Sequence, residues 1–166
     1  MEPYLLLAQS KSLLTTTMAY NHRKRMGTAS LFTQKWAIDK EYGDRVKHSE
    51  VKKGKLIAVL KLQPSHESCE YEVRIEYSAE RSPRAWLLNP PLIKLGKLEP
   101  HHLYSPDRQG HPQLCVYHPK SHEWQDEMLI ATSFIPWVLT WLNAYEYWIC
   151  TGEWLYPEVV GTAKKE

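Results

Sequence analysis

Hydrophobic positions in this chain follow two periods, and the change from one to the other divides the sequence. Tyr71, Val73, Ile75 and Tyr77 alternate with Glu72, Arg74 and Glu76, a period of two that gives a strand one buried and one wetted face. Upstream, Leu56, Ile57, Val59, Leu60 and Leu62 form an apolar run over 55–63 that ends at Pro64. The Pro-Ser-His-Glu-Ser connection makes the two an antiparallel hairpin. A third strand is predicted over Ala85–Leu88, entered after Ser82-Pro83 and stopped by Pro90-Pro91. Beyond it the period lengthens. Phe134, Val138, Trp141, Tyr145 and Trp148 recur at spacings of four, three, four and three, one stripe of an amphipathic helix. Pro136 sits early in it, where a first-turn proline is tolerated, and Thr151-Gly152 is a natural stop.

The N-terminal third has a weaker pattern. Residues 4–20 read as a helix with Leu6, Leu13, Leu14 and Met18 toward the core, although three consecutive Thr at 15–17 weaken it because β-branched side chains lose rotamer freedom in helices. A strand is expected near Phe32–Ile38, followed by a charged loop at Lys40–Lys55. No repeat, linker or low-complexity segment divides the chain, so residues 1–166 are expected to form one α+β domain. The predicted layout is an N-terminal helix, an antiparallel meander of about four strands, a long loop and a C-terminal helix. At 166 residues the chain is long enough to bury a core without disulfides.

Composition narrows the class. Cys69, Cys115 and Cys150 are the only cysteines, an odd number without framework spacing, which points to a reducing compartment. No apolar run reaches membrane-spanning length. The short Tyr4–Ala8 run lacks a preceding positive charge, so a cytoplasmic location is expected. The net charge of +2 hides +7 over residues 1–63 and −5 over 64–166. A basic front half suits an acidic partner, but the one tight cluster, His22-Arg23-Lys24-Arg25, is too short for a nucleic-acid site by itself. Seven Trp and ten Tyr stand against two Phe. Most belong to a core, while some are expected at an interface, where such side chains are favoured.

Candidate chemistry concentrates at Cys115. It lies on an extended segment, Gln113–Tyr117, which leaves a polar loop preceded by the turn Pro100-His101-His102-Leu103-Tyr104. That placement suits a thiol that must be reachable yet rigidly held. A thiolate is a strong nucleophile and its thioester stays reactive toward amines. Other readings of the same residues stay open. Cys115 can be a small buried hydrophobe in a Leu-Cys-Val-Tyr strand. His101, His102, His111, Cys115, His118 and His122 fall within 22 residues and include a Cys-x-x-His pair usable by zinc. A non-catalytic adaptor is the third. No cofactor is expected, and no glycine-rich nucleotide loop is present.

A longer set of residues bears on the choice. Glu70–Tyr77, Pro100–Tyr104, Leu114–Pro119, Glu123-Trp124 and the string from Pro136-Trp137 through Trp141-Leu142, Tyr145-Glu146 and Trp148 to Gly152-Glu153-Trp154 resemble a bacterial branch of the ubiquitin-conjugating enzymes. This branch is the stand-alone conjugating-enzyme-like protein of type II CBASS antiphage operons, encoded beside a cGAS-like nucleotidyltransferase (CD-NTase). The resemblance covers about residues 55–157. It implies a ubiquitin-conjugating fold, and a cysteine, here Cys115, that takes the C-terminal carboxylate of the CD-NTase as a thioester. Transfer to a target lysine follows, priming cyclic-nucleotide signalling. His101 or His102 would order the turn, or donate to the oxyanion in place of the asparagine of the eukaryotic His-Pro-Asn turn, which this turn lacks. His118 would act as base for the incoming lysine, with Tyr104 and Trp124 supporting the site. Trp148, Trp154 and Tyr156, with the basic front half, are the candidate partner surface; no membrane and no direct nucleic-acid contact is expected.

Overall fold

The alternation at 71–77 is the spine of the molecule. The computed structural model describes residues 28–117 and 123–155; the helix predicted over 4–20 and the cluster at 22–25 lie outside them. Strands β1 (Val46–Lys52), β2 (Lys55–Leu62), β3 (Tyr71–Ser78) and β4 (Arg81–Asn89) form the antiparallel meander. Leu60 faces Val73, Ala58 faces Ile75 and Leu56 faces Tyr77, so these six apolar side chains fall on one side of the sheet. All six are buried. Two short strands, β5 (Leu103–Tyr104) and β6 (Gln113–Leu114), extend the sheet to six in the order β1-β2-β3-β4-β6-β5.

The segment expected as a strand near Phe32–Ile38 is instead part of helix α1 (Leu31–Tyr42). Ser30 caps it, its side chain accepting from the Thr33 N–H at 3.0 Å, the satisfaction of an orphan amide that favours a helix start. Phe32 and Trp36 are one helical turn apart and point outward, 71% and 61% exposed. Gln34, Ala37 and Ile38 form the buried side. The region read as a charged loop contains a 3₁₀ turn (Gly43–Arg45) and β1. β1 is an edge strand with no fully buried residue. Its Lys47, His48, Glu50 and Lys52 hid it from an apolar period, as charges on edge strands do. Lys53 and Gly54, both with positive φ (50° and 73°), turn it into β2, the backbone a two-residue hairpin loop requires.

A π turn (Ile130–Phe134) leads into helix α2 (Ile135–Thr151), which covers the apolar face of the sheet. Pro136 occupies its first turn, and Gly152, in the left-handed region at φ 77°, donates its N–H to the Trp148 carbonyl at 2.8 Å. Gln34, fully buried, joins α1 to the segment before the π turn. Its amide donates to the Met128 carbonyl and its Oε1 accepts from the Ile130 N–H, both at 2.8 Å. Tyr42 donates to the Ala131 carbonyl at 3.0 Å.

Candidate active site

The turn before β5 and the strand after it determine where Cys115 stands. His102 adopts a positive φ of 56°, uncommon for a residue with a Cβ. In this conformation its carbonyl accepts from two donors, the Cys115 N–H at 2.9 Å and the Trp141 indole N–H at 3.1 Å. Leu103 pairs with Leu114, and Leu114 with Ala85 of β4. Cys115 is therefore tied at its backbone to the turn, through β6 to the sheet, and through His102 to α2.

The loop between β5 and β6 is held by Asp107. One carboxylate oxygen accepts from the backbone N–H groups of Gln109 (2.8 Å) and His111 (2.9 Å). The other accepts from Arg74 Nη2 at 2.7 Å and lies 3.0 Å from His111 Nδ1. Burial works to raise the Asp107 carboxyl, but Arg74, His111 and these amides hold it well below the usual carboxylate range. Arg74 reaches the loop from the outer face of β3, its guanidinium 4.8 Å from the Trp86 ring centre; Arg84 lies 5.0 Å from it.

The thiol itself is half-buried. Cys115 Sγ lies 3.7 Å from the Tyr117 carbonyl oxygen, and the Tyr104 hydroxyl lies 3.5 Å from the same oxygen. Burial pushes the Cys115 thiol up, a hydrogen bond from Tyr104 opposes this, and the Glu123 carboxylate reinforces it. Burial also lifts the Tyr104 phenol well above the ordinary phenol range, so it remains protonated. Tyr117 is locked from behind: its hydroxyl donates to the Pro83 carbonyl at 3.3 Å, and its ring meets Phe134 (6.0 Å) and Trp137 (5.6 Å). Trp124 packs edge-on to Tyr77 (5.7 Å) and Phe134 (6.4 Å), a wall of the core beneath this region.

The other expected site residues separate. The imidazoles of His101 and His102 lie against Trp154, with ring centres 5.9 and 5.6 Å away, and Trp154 lies 5.5 Å from Trp141. Trp154 is thus partly buried against the core beside the turn. Trp148 is a correction: at 1% exposure it is a core side chain and offers no surface to a partner. Cys69 and Cys150 are both exposed. His118 and Tyr156 lie outside the described residues, as does His122. Among the described residues no group of three or more His, Cys, Asp and Glu could share a metal ion, and His111 is engaged with Asp107.

Sequence reasoning missed the Asp107 anchor, for which Asp-x-x-Gly was a usable turn signal. It also missed the exposed face of α1, where Lys40 Nζ sits 4.8 Å from the Trp36 ring centre. Among the described residues no helix is long and apolar enough to cross a membrane.

Fold and site together define an α+β protein that holds a half-buried cysteine rigidly at the end of a sheet. The model of the family described as Type II CBASS E2 protein matches residues 34–161. That is well over half of the chain, and the chain belongs to this family. Membership gives it a role in CBASS antiphage signalling, and the family's name carries a conjugating-enzyme-like character. Among curated proteins, none matches the chain.

Proposed function

We propose that this protein is a cysteine-dependent conjugating enzyme of ubiquitin-conjugating type that carries the C-terminal acyl group of a CD-NTase on Cys115. The observation that supports this most is the holding of Cys115: a reachable thiol whose N–H is fixed by the His102 carbonyl at 2.9 Å. Such fixing favours a defined attack geometry. The Cys115 thiolate attacks the carbonyl carbon of an activated carboxyl derivative delivered by another protein. The S–C bond forms as the activating group leaves. A target lysine amine then attacks the thioester carbon. The N–C bond forms, the C–S bond breaks, the amine proton passes to a base and the thiolate returns. His118, three residues along the chain, is the candidate base. His101 and His102 act on the turn, with Trp154 as their buttress, while Tyr156 and the basic front half are left to contact the partner.

Co-expression with the neighbouring CD-NTase tests the reading. A covalent adduct, thiol-sensitive on a non-reducing gel and assigned by mass spectrometry, is expected in wild type, Cys69→Ala and Cys150→Ala, and lost in Cys115→Ala. An adduct that survives Cys115→Ala overturns the assignment. Association with the CD-NTase without any adduct would favour the adaptor reading.

A further inference from the structure

We infer that Tyr104 is the hydrogen-bond donor that holds Cys115 as its thiolate, and so a catalytic residue rather than part of the wall; this rests on the reading of Cys115 as nucleophile. In the resting site two donors share one acceptor. The Cys115 S–H and the Tyr104 O–H both face the Tyr117 carbonyl oxygen, at 3.7 and 3.5 Å. Both contacts are long, and neither is a strong bond.

Loss of the thiol proton changes this balance. The sulfur then has no donor, and a sulfur anion faces the lone pairs of a carbonyl, which is repulsive. The residue that carries this carbonyl is held in place by its side chain, since Tyr117 is 8% exposed and anchored through Pro83, Phe134 and Trp137. The phenol O–H is free to turn. It gives up only a 3.5 Å contact, and the bond it gains is to an anion, a class roughly twice as strong as neutral pairs. Tyr104 is kept in place by β5, where it pairs with Gln113 of β6 one residue before Leu114-Cys115. The phenol stays protonated in the range where the thiol ionises, so the donor is present when the anion forms. This phenol is a donor already beside the sulfur. A stabilised thiolate is also a better leaving group when an amine attacks the thioester, so the same bond serves both half-reactions.

Alkylation of Cys115 by iodoacetamide across pH tests this, with Cys69→Ser and Cys150→Ser leaving one thiol in the full chain. Tyr104→Phe removes one oxygen from a side chain at the edge of the site (36% exposed), and an unchanged melting temperature verifies the fold. The midpoint of the pH profile is expected to rise by about one unit, the effect of one charge-assisted hydrogen bond. The rate near pH 7.5 should fall about threefold rather than tenfold, because a more basic thiolate is intrinsically more nucleophilic. A purely structural role would leave the midpoint where it is, and an unchanged midpoint in folded Tyr104→Phe overturns the inference. Alkylation needs no CD-NTase. A missing thioester adduct in wild type would therefore overturn the carrier reading while the shifted midpoint still stood.

Discussion

The sheet core and the cysteine loop of this protein are held by different means. In β2, β3 and α2 the contacts are apolar and redundant: Leu56, Leu60, Ile75, Val138 and Trp148 belong to one continuous buried cluster, and no single hydrogen bond defines it. From His101 to Tyr117 the reverse holds. Only Leu114 and Tyr117 of that stretch are buried, and its shape depends on a few named bonds, from Asp107, the His102 carbonyl and Arg74. Area-based packing fails as a unit, whereas a polar tether can fail locally and leave the fold intact. The cysteine belongs to the second regime, which lets a site be exposed without exposing the core.

Substitution in the core should have the largest effect. Trp148→Ala removes a fully buried indole and is expected to cost about 3–5 kcal/mol. Chemical denaturation would show a lower midpoint for the whole domain, and cysteine reactivity would be lost only as the fold is lost. A local loss of reactivity without a global change would break the contrast between the two regions.

Gln34 is the polar exception inside the core. Gln34→Leu leaves the Met128 carbonyl and the Ile130 N–H without their partner, at about 1–3 kcal/mol for each group left buried and unpaired. A melting curve reads the sum. If the variant melts with wild type, Gln34 is replaceable packing and the seam between α1 and the π turn is apolar after all.

The smallest global effect belongs to the loop. Asp107→Asn weakens the bonds to Arg74 and His111, and amide exchange over 107–113 should quicken while the melting temperature barely moves. The same staple has a pH signature. Because the folded carboxyl is held below its ordinary range, its contribution is present at neutral pH and is lost as pH falls through the folded value. Exchange protection of the loop should therefore persist into mild acid in wild type and show no such acid step in Asp107→Asn.

The regular elements were legible from the chain to different degrees. β2 and β3 were read within a residue because both bury one face, and α2 because its stripe repeats through four turns. The segment of α1 was expected as a strand, and only the helix sets Phe32 and Trp36 outward while burying Gln34, Ala37 and Ile38. β1 was missed because an edge strand has no need of an apolar face. Cys115 was singled out from its neighbours in sequence; its placement beside Tyr104 and Tyr117 had no signal there.

By itself the sequence determined the extent of β2, the burial pattern of β3 and α2, the helix stop at Gly152, and the extended setting of Cys115, because periodicity and backbone preference are local properties. Only the tertiary structure decided that Trp148 is core while Trp154 buttresses His101 and His102, and that Gln34 meets Ile130 across 96 residues and Arg74 meets Asp107 across 33. It also decided that a phenol stands beside the thiol. Such pairings depend on how the elements stack, and residues far apart in the chain carry no local signal of which neighbour the packing will bring to them.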